Sequence, residues 1–325
     1  MLRCDTSTTS RLTTGAEPDC ISAIPLAKIT LFTAPKPFTD GHIAIIQHNA
    51  ILSWLSLGEQ VEVLLVGNEA GMAEVASQYG IRQLSGVACN ENGTPLVSSI
   101  FALARQASQG PLLVYVNADM ILLPDLVAAA HAVASQVERF LIIGQRWDME
   151  ITQLLDFSPG WETNLRAEAN ASAKLHPPAG SDYFVFPRQV FSDIPSFAIG
   201  RAGWDNWMIY HARQQGWPVI DGTPSIQAIH QNHDYSHLPD SQPHYNLPES
   251  RQNEALAGGA THLFMVLDSD RQLVDGRIRP PRLTLPRLLR RIELFFTPPG
   301  TERTGWRWFI ARRFRRLRRR ITGSL

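Results

Sequence analysis

Cysteine is scarce in this 325-residue chain: Cys4, Cys20 and Cys89 form neither a CxxC pair nor the dense framework of a small secreted domain. That excludes a disulfide scaffold and a paired-cysteine zinc site, and it makes a reducing interior the expected setting. No stretch reaches about 18 uninterrupted apolar residues, so no transmembrane helix is expected. The opening segment MLRCDTSTTSRLTTGAEPDC has no apolar run of the kind a secretory signal needs, and residues 1–26 read as a disordered leader. Several catalytic fingerprints are missing too. No GxGxxG follows the first strand and no GxxxxGK[ST] occurs, which argues against dinucleotide binding and P-loop chemistry. The absence of GxSxG and HExxH argues against α/β-hydrolase and zinc-protease mechanisms.

What is present suits a globular protein: 44% hydrophobic and 18% charged residues allow one large domain with appendages, or two modest ones. The net charge of zero hides a segregation. From Arg271 onward there are 16 Arg against Asp275, Glu293 and Glu302, a net +13, whereas the rest carries 14 Lys and Arg against 27 acids, a net −13. An acidic body joined to a basic tail points to an anionic partner for the tail.

Along the body, strand patterns alternate with helical ones. AKITLFTAPKPF reads as a strand closed by Pro35 and Pro37, and GHIAIIQHNAILSWLSLG as a helix ended by Gly58. VEVLLVGN is a buried strand followed by a short helix near 71–79. TPLVSSIFALARQAS is a helix with Thr94 as its cap and Pro95 in its first position. A strand at 112–116, a helix from Pro124 to Val137 and a strand RFLIIGQ follow. GSDYFVFP reads as a strand ending at Pro187, GWDNWMIYHARQQGWPVIDGT as a helix from Asp205 to Gln215 and a short strand, and HLFMVLD as a small apolar strand. This alternation predicts an α/β fold with a mainly parallel sheet, and in such sheets ligands bind beyond the carboxyl ends of the strands.

Asn117 and Asp119 interrupt LLVYVNADMILL at such an end. Alone they would serve as a turn pair. Two further groups make a metal site the better reading: GWDNW, with Asp205 between Trp204 and Trp207 at a helix start, and IHQNHDYSH, with His230, His233 and His237 around Asp234. A divalent ion bridging a diphosphate needs hard carboxylate oxygens, accepts an imidazole, and leaves positions for phosphate and water. Asp119 can supply the first, and His230 or His233 the second. Asp205 can act as general base on an acceptor hydroxyl, or merely cap its helix, and the two tryptophans can wall a sugar ring.

Taken together, KITLFTAPKPF, NGTPLVSSIFALA, VYVNADMIL, GSDYFVFP, GRAGWDNWMIYHARQQGWPVIDGT and AIHQNHDYSH resemble a nucleotide-sugar-dependent glycosyltransferase of the GT-A type, similar to family 2. The resemblance covers roughly residues 27–245 and implies a Rossmann-like GT-A catalytic domain there, an extension over 246–275 and a basic amphipathic tail over 276–325. It implies Mn²⁺ or Mg²⁺ on Asp119 and a late histidine, His230 or His233. Asn117 then takes the ribose-side position of an Asp-x-Asp motif, and Thr33 and Ala34 lie where base and ribose are wrapped. Asp205 falls at the acceptor or base position, and Asp182 near the sugar or acceptor. Asn117 departs from the family's Asp, losing a charge and keeping an acceptor oxygen. The implied reaction is transfer of a sugar from a nucleoside diphosphate to a hydroxyl of a glycan or lipid-linked acceptor. Its rivals are a sugar-1-phosphate nucleotidyltransferase, for which FTAPKPF lacks the Gly-rich loop, and a non-catalytic glycan-binding module.

In the tail, Trp306, Ile310, Phe314, Leu317 and Ile321 form one helical stripe with arginines between them. A basic amphipathic helix with tryptophans predicts contact with an anionic membrane surface through residues 303–321. The alternatives are an Arg-rich helix docked on the acidic body, or nucleic-acid binding, and nucleic acid is not the expected partner. The expected location is the cytoplasm, with peripheral attachment to the inner face of a membrane.

Overall fold

The computed structural model describes residues 28–233 and 247–323; the leader over 1–26, and Asp234 and His237 of the His-rich loop, lie outside the described residues. The first half runs β1 (Ile29–Thr33), α1 (Gly41–Leu55), β2 (Val61–Val66), α2 (Met72–Tyr79), β3 (Arg82–Leu84), α3 (Val97–Ala107), β4 (Leu112–Val116), β5 (Met120–Ile121) and α4 (Asp125–Ala134). Next come β6 (Leu141–Ile143), β7 (Trp147–Met149), α5 (Trp161–Ser172), β8 (Lys174–Leu175), β9 (Tyr183–Pro187), α6 (Trp204–Gln214), β10 (Val219–Asp221) and β11 (Ile229–Gln231). The last part holds α7 (Pro248–Leu256), β12 (Arg271–Val274), β13 (Arg277–Arg279), α8 (Leu285–Phe296) and α9 (Gly305–Thr322).

The expected α/β class and mainly parallel sheet are present. Nine strands lie in the order β13-β12-β10-β6-β9-β4-β1-β2-β3, with only β9 and β13 running against their neighbours. Helices cover both faces, which is why the inner strands read as unbroken apolar runs rather than alternating ones. On one side Leu31, Val114 and Val185 pack with α1, α2 and α4; on the other Phe32, Tyr115 and Phe184 pack with α3 and α6. A second sheet, β5-β11-β7-β8, stands over the carboxyl ends with its own small core, in which Trp161, Leu165 and Ala169 of α5 meet Ile121 and Ile229.

Helix α1 fixes the rim that these two sheets share. Asp40 caps it by accepting from the amides of His42 and Ile43. Gln47 bonds both the amide (2.7 Å) and the carbonyl (3.0 Å) of Lys36, which sets the loop after β1. Trp54 Nε1 donates to the carbonyl of Met120 (3.0 Å), and Ser53 Oγ accepts from the amide of Leu122 (3.2 Å). Asn49, fully buried, donates to the Gln153 carbonyl (2.9 Å) and Gln231 Oε1 (3.0 Å) while accepting from the amide of Leu155 (2.9 Å). Gln231 in turn donates to the Ile46 carbonyl (2.8 Å).

Three sequence expectations need correction. Helix α3 starts at Val97, not at Pro95, because Pro95 and Leu96 are held extended by bridges to Cys89 and Ala198. Thr94 is therefore not its cap. HLFMVLD is not a strand: Ala260–His262 and Val266–Asp268 are 3₁₀ turns that tuck Phe264 and Val266 into the core, and Asp268 closes the second by accepting from the amide of Met265 (2.9 Å). The boundary between 275 and 276 falls inside a β-hairpin. There Asp275 (φ 51°) and Gly276 (φ 69°) make the two-residue turn that joins β12 to β13, and β12 extends the main sheet beside β10.

Truncating Asn49 to alanine strands the Gln231 carboxamide, the Gln153 carbonyl and the Leu155 amide. The expected loss is about 2 to 3 kcal/mol of unfolding free energy. Urea unfolding of the variant checks it, and a midpoint matching the wild type would show that the lock is dispensable.

Candidate active site

The chain leaves β1 and β4 side by side, since Phe32 pairs with Tyr115 in parallel register, so Ala34 and Asn117 emerge as neighbours. Thr33 is fully buried and its Oγ1 has no hydrogen-bond partner; Ala34 is half-buried. Asn117 is already engaged. Its amide nitrogen donates to the Asp182 carbonyl (2.9 Å), its Nδ2 donates to Asp182 Oδ1 (2.8 Å), and its Oδ1 accepts from the Tyr115 hydroxyl (3.1 Å). Asn at this position supplies the N–H that makes the Asp182 contact attractive; two carboxylates at that distance would repel.

Two residues on, Asp119 meets the second sheet. Gln231 donates its amide to the Asp119 carbonyl (3.1 Å), which places β11 against this segment. His233 Nε2 lies 3.2 Å and His230 Nε2 3.7 Å from Asp119 Oδ2. One ligand atom from each of Asp119, His230 and His233 falls within 4.8 Å of the others. Asp119 Oδ1 is buried with no hydrogen-bond partner. Burial alone would push this carboxyl up, but the imidazoles of His230 and His233 and the charge of Lys36 outweigh it and hold the carboxyl well below the usual carboxylate range. One oxygen, two nitrogens and an orphaned carboxylate oxygen fit a divalent ion that tolerates both donor types. Both histidine candidates from the sequence converge on the same carboxylate.

Three contributors escaped sequence reasoning: Asp148, Arg146 and His176. Asp148, on β7, lies in register with His230, its Oδ1 3.2 Å from His230 Nδ1 and its Oδ2 2.6 Å from His176 Nδ1. A carboxylate facing Nδ1 favours the tautomer with its proton there, which leaves the Nε2 lone pair for the ion. Arg146 bridges Asp148 (2.8 Å) and Asp182 (2.9 Å). Burial opposes the Arg146 charge, yet Asp182, Asp148 and Asp119 hold its pKa above the usual value. The only sequence signal was the charge pattern RWDME; the pairing that makes it matter spans β7, β8 and β11.

Asp205 sits at the start of α6, where Gly180 makes room for it: a methyl there would run into Asp205 Oδ2. It takes the capping role in part, accepting from the amide of Gly203 (3.3 Å). Burial, and secondarily the charge of Asp182, nevertheless raises its pKa to about 6. Trp204 and Trp207 do not wall a cleft. They are 5% and 7% exposed and face inward, Trp204 edge-on to Tyr115 (5.1 Å) and Trp207 against Phe197 (5.2 Å) and His211 (4.6 Å). At the end of a helix packed on a covered sheet, their size makes them core. Asp182 accepts at Oδ1 from both Asn117 Nδ2 and Arg146, which ties it to the scaffold of the site.

No family model and no curated protein sequence matches the chain. Solved structures similar to it are nucleotide-sugar glycosyltransferases. Glucosyl-3-phosphoglycerate synthase from Mycobacterium tuberculosis with Mn²⁺, UDP and phosphoglyceric acid is 16% identical, with 79% of this chain and 88% of that one covered at a TM-score of 0.44. A mannosyltransferase from Pyrobaculum calidifontis with GDP-Man and Mn²⁺ is 13% identical, with 62% and 56% covered at a TM-score of 0.40. The likeness is loose, and the functional reading rests on the side chains of the site.

Replacing Asp148 with asparagine frees His230 to turn or change tautomer. Mn²⁺ affinity, measured by calorimetry in the presence of a nucleoside diphosphate, is expected to fall about tenfold or more. Unchanged affinity would remove Asp148 from the site.

Proposed function

We propose that this chain is a metal-dependent glycosyltransferase that moves a sugar from a nucleoside-diphosphate donor to a hydroxyl of a glycan or lipid-linked acceptor. The observation that carries the reading is the convergence of His230 and His233 on the buried, half-orphaned carboxylate of Asp119 at the carboxyl end of the sheet.

Asp119, His230 and His233 would hold Mn²⁺ or Mg²⁺, and Asp148 keeps His230 in the donating tautomer. The bound ion supplies a Lewis acid that offsets charge on the leaving diphosphate. Lys36, held by Gln47 at the end of β1, adds a cationic side chain near Asp119, where phosphate oxygens would gather. Ala34 and the free lone pair of Asn117 Oδ1 border the ribose side. Thr33, being fully buried, supports that loop from below.

Asp205 takes the acceptor proton. A general base works best when its pKa approaches the working pH without exceeding it, and about 6 leaves the carboxylate ionised at neutral pH yet more basic than an ordinary one. The burial that raises it also shields it from bulk water. A peripheral position at a membrane brings a lipid-linked acceptor within reach.

Two measurements test this. Donor hydrolysis or transfer by the purified protein, screened over nucleotide sugars, should be abolished by EDTA, restored by Mn²⁺, and lost in Asp119→Ala; activity indifferent to chelation would defeat the metal role. With wild type, kcat/KM should climb as pH rises through about 6, because Asp205 must lose its proton to accept another. Asp205→Asn should lack that limb and lose about 100-fold or more. A variant with the wild-type pH profile would reassign Asp205 to capping.

A further inference from the structure

The α8–α9 hairpin is mounted inside out. On α8 the residues turned to the body are largely charged: Arg287, Arg290 and Glu293 are buried. Arg287 pairs with Asp221 (2.7 Å), Arg290 with Asp268 (2.9 Å) and Glu293 (2.9 Å), and Arg318 of α9 reaches the same Glu293 (3.2 Å). Leu289 is buried beside them and Leu294 packs against the core, but a longer apolar stripe faces the other way. Leu285, Leu288 and Phe295, with half-buried Ile292 between them, recur at spacings of 3, 4 and 3, which is one stripe of a helix. Leu285 is 55% and Phe295 73% exposed. Helix α9 continues the pattern with Trp306 (68% exposed), Phe309 and Leu317, while its Ala311 and Arg318 are buried.

An amphipathic helix ordinarily buries its apolar face against the core. Here polar groups have replaced apolar ones at the internal contact, so the apolar stripes of both helices are left outward. Arg291, Arg307, Arg312, Arg313, Arg316 and Arg320 are exposed on the same two helices. Apolar stripes fringed with arginine match one environment, the boundary between headgroups and acyl chains of an anionic bilayer, where the arginines meet lipid phosphates and the rings and leucines enter the apolar layer. No helix among the described residues is long and apolar enough to cross a membrane, so the hairpin lies along the surface.

We infer that α8 and α9 together form a rigid docking face for anionic lipid, extending well beyond residues 303–321. The α8 face, invisible as a docking element until its charged side is seen to be buried, supplies part of the apolar contact. The inference is independent of the chemistry in the cleft, and its failure would leave the sugar-transfer reading untouched.

Flotation of the full chain with vesicles tests it. The protein should float with phosphatidylcholine–phosphatidylglycerol vesicles and not with phosphatidylcholine alone, and partitioning should weaken as salt rises. The triple variant Phe295→Ser, Trp306→Ser, Phe309→Ser alters only exposed side chains and should partition about tenfold or more weakly with its circular dichroism unchanged. A second variant, Arg312→Gln, Arg313→Gln, Arg316→Gln, should also lose binding to the anionic vesicles. Failure to float with anionic vesicles, or equal flotation of the triple variant, would overturn the proposal. Tight binding of duplex nucleic acid without vesicle binding would reassign the face to nucleic acid. A dimer in light scattering that the triple variant dissolves, again without vesicle binding, would reassign it to a second copy of the chain.

Discussion

Arg146 is the cation on which the site depends. Asp119, Asp148 and Asp182 all act on its guanidinium and Asp182 acts in turn on Asp205, and carboxylates brought together without compensation would repel one another and resist ionisation. Arg146 joins two of them directly, one at the end of the main sheet and one on the small second sheet. Its guanidinium is suited to this because it keeps its charge when buried and presents several donors in a fixed plane. Among the described residues no strand of one sheet pairs with a strand of the other, and the arginine and the α1 contacts help to hold them in register at the rim.

From that bridge the division of labour among the acids follows. Asp119, beside two imidazoles and a lysine, stays ionised far into acid; Asp148, although burial opposes it, is kept ionised by His176, His230 and Arg146. Asp205 is surrounded by apolar packing, backbone amides and the neighbouring Asp182 carboxylate, and burial with that charge raises its pKa to about 6. Cations accompany Asp119 and a carboxylate accompanies Asp205, a difference that would let the first serve as ligand and the second as base in the proposed reaction.

Much of this was legible in the sequence where the signal is local. The apolar runs at β1, β2 and β4 and the helix at α6 declare themselves through periodicity and through Pro and Gly punctuation. Asp119 was readable because a polar pair that ends a buried strand is conspicuous. Asp148 and Arg146 were not, because their partners arrive from β11 and from the segments flanking β8 and β9, tens of residues away, and β7, β8 and β11 are strands of two or three residues too short to show a period. Trp204 and Trp207 misled for a related reason. Next to an acid at a helix start, an aromatic ring looks the same in sequence whether it lines a crevice or fills the space above a sheet. Two signals were nevertheless present and unused. Trp161, Leu165 and Ala169 recur every four residues over α5, and Val-Asp-Gly-Arg is a strong two-residue hairpin turn.

Asp221 and Asp268 clamp α8 to the body through Arg287 and Arg290, and Glu293 ties α8 to α9 through Arg318, which has a mechanical consequence. Apolar contacts let helices slide and roll past one another, whereas ion pairs with paired donors lock both the tilt and the rotation of what they hold. A hairpin fastened in this way acts as a bracket rather than a tether, so any surface it rests on meets the body at one set angle. On a lipid surface the height of the Asp119 site above the plane would then be fixed by the protein's own geometry, and distance from the plane would become a criterion for the proposed acceptor.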